Sequence, residues 1–66
     1  MAAKRFPMRL KQLREAKGWS QAKLADEAGV TREYIARLET GKHDPPLSRV
    51  EKLANVLKVP IGRLLK

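Results

Sequence analysis

Three glycines, Gly18, Gly29 and Gly41, fall eleven and twelve residues apart in a chain of 66. Each closes a short stretch whose apolar residues recur at helical spacing, and no stretch alternates as a half-buried strand does. Glycine takes the left-handed turn at a helix end without a Cβ clash, so each stops a helix after a few turns. This punctuation restricts the fold to an all-α domain, a compact bundle of five short helices.

The first helix is predicted over about 8–17, with Leu10 and Leu13 inward. Ser20 caps a second over 21–28, with Leu24, Ala25 and Ala28 on one face, and Thr31 caps a third ending near Thr40, with Ile35 and Leu38 inward. Trp19 and Val30 precede the two caps and can pack on Leu24 and Ile35 as hydrophobic staples; Lys23 and Tyr34 stand where a full capping box needs Glu or Gln. Residues 42–46 form a loop. A fourth helix is predicted over about 46–57, with Leu47, Val50, Leu53, Ala54 and Leu57 in register, and a last short turn carries Ile61, Leu64 and Leu65. Residues 1–7 show no period and read as a basic N-terminal arm ahead of a domain over 8–65; Pro7 can open a helix but not continue one.

A chain this short buries only roughly 60% of the surface its unfolded form exposes. With no Cys there are no disulfides or thiolate metal sites, and one His cannot build a metal cage. Stability therefore rests on tight helix packing or on self-association. Fifteen Lys and Arg against seven Asp and Glu leave a net charge of +8, which calls for a polyanionic partner, nucleic acid before membrane. No apolar run approaches the ~18 residues of a membrane span and no signal-peptide core appears, so the chain reads as soluble and cytoplasmic, with no membrane partner. The initial Met and compact ending read as those of a complete chain. Ser20, Asp26 and His43 are the only ingredients for a triad, and Ser20 is spent as a cap. Without paired carboxylates, a phosphate-cradling loop or metal-ligand spacing, this is a binding module with no cofactor and no metal, not an enzyme.

The informative stretch is 21–40: a helix, a tight turn through Gly29 and a second helix. Units of this kind cross steeply, so a small residue is needed at the crossing, and Ala25 supplies it. With Leu24, Val30, Ile35 and Leu38 fixing the angle, the second helix stands proud enough to enter a ~12 Å major groove. At 100° per residue, Glu33, Ala36, Arg37 and Thr40 point outward, and Arg32 projects from the free N-terminal end. Arg can bond guanine bidentately, Glu can accept from cytosine N4, and Thr can meet a thymine methyl. The alternative is that Glu33 and Arg37, four apart, pair on a solvated face. Tyr34 lies at the edge of the apolar face and reads as packing. Glu39 and Arg14 each follow an inward residue by four, so these opposite charges lean into the same interior and suggest a buried or half-buried pair. Ile61, Leu64 and Leu65 either close the monomer core or form a dimer patch.

Gln21-Ala22-Lys23-Leu24-Ala25, Ala28-Gly29-Val30-Thr31 and Ile35-Ala36-Arg37-Leu38-Glu39-Thr40-Gly41-Lys42 resemble the phage repressor/Cro-type (XRE-like) family of helix-turn-helix domains. The likeness continues through Leu53-Ala54-Asn55-Val56-Leu57-Lys58-Val59 and so covers nearly all of 8–65. The resemblance implies a lambda-repressor-like fold and a sequence-specific transcriptional regulator that binds double-stranded DNA, a palindromic operator held by a homodimer through the helix at 31–40. It implies a phosphate contact for Gln21, base-edge or phosphate contacts for Thr31, Arg32, Glu33 and Arg37, and backbone contacts for Lys42 and His43. It also implies a structural bridge between Arg14 and Glu39, and a two-fold contact in the region of Ile61, Leu64 and Leu65. Pro46 and Pro60 depart from the family, standing where a Ser-like cap is common, and Gly62 weakens the last turn. Domains of this build also serve as antitoxins or bridging factors, in which a protein partner comes first and DNA second.

Overall fold

The structure, a computed structural model, describes residues 5–65. Among them lie five helices: α1 (Phe6–Ala16), α2 (Gln21–Ala28), α3 (Arg32–Glu39), α4 (Leu47–Leu57) and the short α5 (Gly62–Leu65). The all-α expectation holds. The first helix starts two residues earlier than the apolar period indicated. Phe6 turns into the core with 1% of its surface exposed, and Pro7 sits in the first turn, where its missing N–H needs no partner. Phe6 and Pro7 are therefore part of the folded domain rather than of an arm; residues 1–4, with Lys4, and Lys66 lie outside the described residues.

The ends of α1 to α4 close alike. An N–H two or three residues past each helix reaches back to the carbonyl five residues earlier: Trp19 to Arg14, Val30 to Ala25, Lys42 to Arg37 and Val59 to Ala54, at 3.0–3.2 Å. This closure places the residue before the donor in the left-handed region. Gly18, Gly29 and Gly41 hold it at φ +72, +70 and +77°, and Lys58, with no glycine to take the strain, holds it at +59°. Ser20 and Thr31 cap α2 and α3 as expected, each side-chain oxygen accepting from the N–H three residues on, Lys23 at 3.0 Å and Tyr34 at 3.1 Å. Pro46 offers α4 no side-chain cap.

One core joins all five helices: Phe6, Leu10, Leu24, Ala25, Ala28, Ile35, Leu38, Val50, Leu53, Ala54, Leu57 and Leu64. α3 packs on α1 and α2, α4 packs on α2, and α5 packs on α1 and α4. Trp19, Val30 and Leu13 are half-buried against this core. Leu47 was expected inward but is 56% exposed, because the first residue of α4 sits at the rim before the helix turns over the core. Leu64 is fully buried within a single chain, so it is a core residue and not a surface for a second copy. Ile61 and Leu65 remain half-buried beside it.

Candidate nucleic-acid interface

The inner side of α3 is locked by more than apolar packing. Glu39, with 3% of its side chain exposed, accepts from Arg14 Nε at 2.7 Å and, through its other oxygen, from Arg14 Nη2 at 3.1 Å. Arg14 Nη1 donates to the Trp19 carbonyl at 2.7 Å, and Gln21 Nε2 donates to Glu39 at 3.1 Å. The fork of Arg14 thus ties α1, the α1–α2 turn, the start of α2 and the end of α3 into one node. Its hydrogen bond to Glu39 raises the Arg14 pKa above the ordinary guanidinium value, against the opposing effect of burial. The pairing of Arg14 with Glu39 was legible in the helical phase. The parts of Gln21 and the Trp19 carbonyl were not, because they depend on how the turn at 17–20 folds.

The outer side of α3 is different. Thr31, Arg32, Glu33, Arg37 and Thr40 are exposed there, with Tyr34 and Ala36 half-buried. Two shallow hollows run along it, one lined by Thr31, Glu33, Tyr34 and Arg37, the next by Ala36, Arg37, Thr40 and Lys42. Arg37 belongs to both, so they form a continuous strip from the head of the helix to the following loop. Arg32 stands at the head of the helix and lines neither hollow. His43 joins the strip by meeting the Tyr34 ring edge-on, with centroids 5.2 Å apart. Arg49, reaching from α4, lies 5.3 Å from the centroid of the same ring in a cation–π contact. Sequence spacing carries no sign of this Tyr34–His43–Arg49 contact, since the path of 42–46 decides it.

Among the described residues Glu33 and Arg37 make no ion pair with each other or with any third group. Lys23 and Glu27, at the same spacing on α2, do pair at 2.8 Å; their hydrogen bond raises the lysine pKa and lowers that of the carboxylate. The structure therefore brings Thr31, Glu33, Arg37 and Lys42 onto one strip with His43 beside it on Tyr34, while Gln21 lies on the inner side of α3, tethered to Glu39. Among the described residues no group of His, Cys, Asp or Glu could hold a metal ion, and no helix is long and apolar enough to cross a membrane.

A short capped helix, a turn through a left-handed glycine and a second capped helix with a free polar face match the helix-turn-helix family model over residues 10–64. This chain belongs to the helix-turn-helix family. Its curated relatives include the prophage-derived regulator YonR of Bacillus subtilis, 44% identical over 92% of this chain and 56% of that protein. The chain thus spans about half the length of the relative. Among solved structures, the restriction-modification controller protein C.AhdI from Aeromonas hydrophila superposes with a TM-score of 0.87 at 38% identity, covering 91% of this chain and 87% of that one. SinR, the master regulator for biofilm formation, solved in complex with DNA, superposes equally well (0.87, 35% identity), covering 92% of this chain and 98% of that one. Of the residues that the sequence offered for a triad, Ser20 caps α2 and His43 packs on Tyr34.

Proposed function

We propose that this domain binds duplex DNA sequence-specifically as part of a transcriptional regulator, placing α3 in the major groove. The observation that carries the reading is the contrast between the two sides of α3. One side is tied down by Arg14, Glu39 and Gln21, while the other carries charged side chains with no partner of their own. Rigid backing with free donors and acceptors in front is what base-edge readout requires. The relative solved on DNA supports the same reading.

In this mechanism Glu33, in the first turn of α3, and Arg37, in its last turn, meet base edges, with Arg32 on a base or a neighbouring phosphate. The Thr31 hydroxyl, which spends a lone pair on Tyr34 N–H, keeps its proton for a phosphate. Gln21 gives one amide hydrogen to Glu39 and has the second to donate to the backbone at the foot of α2, held in orientation by the first. Lys42 and His43 reach phosphates from a loop that Tyr34 steadies through its contact with His43. Binding of this kind would hold the protein on the nucleoid.

The domain measures 24 × 22 × 19 Å between its Cα extremes, less than the ~34 Å of one helical turn of DNA. One copy covers one half-site, and a two-fold homodimer, with Ile61 and Leu65 at its contact, would cover a palindrome. Selection from a random duplex library at moderate salt tests this. A palindromic motif with half-sites about one turn apart supports the dimeric regulator. A single half-site keeps the DNA function and removes the dimer, and a bound pool without a motif removes sequence specificity.

A second reading has one observation in its favour: a similar solved chain, SinR, is known in a complex with a second protein, SinI. If a protein were the main ligand here, as in antitoxins or bridging factors, capture from cell extract would survive nuclease treatment.

A further inference from the structure

Residues four apart on a helix stand ~5–6 Å apart at Cβ, and an acidic residue ahead of a basic one is the favoured order for pairing. Glu33 and Arg37 have that order and do not pair, while Lys23 and Glu27, in the reverse order, do. Glu33 and Arg37 instead line one shallow hollow together with Thr31 and Tyr34. Two opposite charges that share a hollow without pairing present an acceptor and a fork of donors side by side.

The major-groove edge of only one base pair matches that pattern. Guanine offers two adjacent acceptors, N7 and O6, and its cytosine offers the N4 donor beside them; adenine–thymine interleaves acceptor, donor and acceptor and adds a methyl. A carboxylate brought up to a polyanion also needs a hydrogen-bond donor from it, and the major groove supplies donors only on cytosine N4 and adenine N6. A bidentate arginine beside the carboxylate then leaves cytosine as the donor that fits. We propose that Glu33 and Arg37 act as one reading unit for a single guanine–cytosine pair, with Arg37 on guanine N7 and O6 and Glu33 on cytosine N4. This rests on α3 being the groove helix, and it adds that the two side chains share one base pair instead of reading two.

The test is repeated selection with the wild type, Glu33→Ala and Arg37→Ala, followed by affinities on the selected site. In the wild-type motif one column of each half-site is guanine–cytosine, and both variants relax that same column. Replacing its guanine by 7-deazaguanine, which lacks the N7 acceptor, weakens the wild type about tenfold and leaves Arg37→Ala unchanged. Both residues are exposed, and circular dichroism of each variant checks that the fold is intact. The proposal is overturned if the two variants relax different columns, or if Glu33→Ala leaves every column as it was. A wild type that selects no motif at all overturns the groove assignment of α3 itself, a different result from a motif that is insensitive to Glu33.

Discussion

At the scale of single residues, the node around Glu39 decides how firmly α3 is presented. A carboxylate with 3% of its side chain exposed is stable only while its donors stay in place. Arg14→Met removes two of them and leaves Gln21 alone, so it should cost about 3–5 kcal/mol in urea unfolding, enough to threaten a domain of this size. The double variant Arg14→Met with Glu39→Leu removes the stranded charge and should recover most of that loss. If the double variant is no better than the single one, the packing of the Arg14 stem, and not its charge, is what the node needs. The pair was readable because both charges fall at inward phases of helices whose cores are obvious. Gln21 was readable only as a phosphate ligand, since its amide faces Glu39 through a crossing angle that no periodicity records. The free state of Glu33 and Arg37 was likewise open in the sequence, where spacing alone allows them to pair.

At the scale of elements, helix ends were legible where glycine marks them and also at α4, whose apolar period runs out at Leu57, but the way α4 closes left no mark in the sequence. The same closing hydrogen bond ends α1, α2, α3 and α4, yet only three carry the residue that makes the left-handed turn easy. Lys58 takes φ +59° with a Cβ, a strain of about 1–2 kcal/mol. Lys58→Gly relieves it but frees the unfolded chain by about 0.4–1 kcal/mol, for a net gain of about 0.5–1 kcal/mol. Gly29→Ala should do the reverse. A Cβ there meets nothing within 4 Å, so the loss, about 1 kcal/mol, is that of the backbone conformation alone. Urea midpoints of the two variants moving in opposite directions would confirm a shared helix-ending device; a neutral Lys58→Gly would mean that the α4 end relaxes out of the left-handed region. The start of α1 was hidden for a related reason. A lone aromatic before a proline has no period of its own, and only the space beneath α1 shows that Phe6 fills the core.

At the scale of the whole molecule, the last helix sets the division between folding and association. Apolar residues at 61, 64 and 65 look equivalent in the sequence, but Leu64 points wholly into the chain's own core while Ile61 and Leu65 sit at its edge. Leu64→Ala should therefore lower stability by about 2–5 kcal/mol at any protein concentration. Ser at both 61 and 65 should instead leave a folded monomer that sediments as one copy and binds only a half-site. Salt dependence separates the two cases on DNA. The logarithm of affinity falls by ~0.9 per phosphate neutralised for each log unit of salt, so a wild-type dimer making six to ten contacts loses about 10³–10⁵ in affinity between 50 and 200 mM. The Ile61→Ser, Leu65→Ser protein makes half those contacts, and its log–log slope on the same palindrome should be half as steep. An unchanged slope would place the two-fold contact elsewhere on the surface, and a half-steep slope already present in the wild type would mean that each copy binds alone.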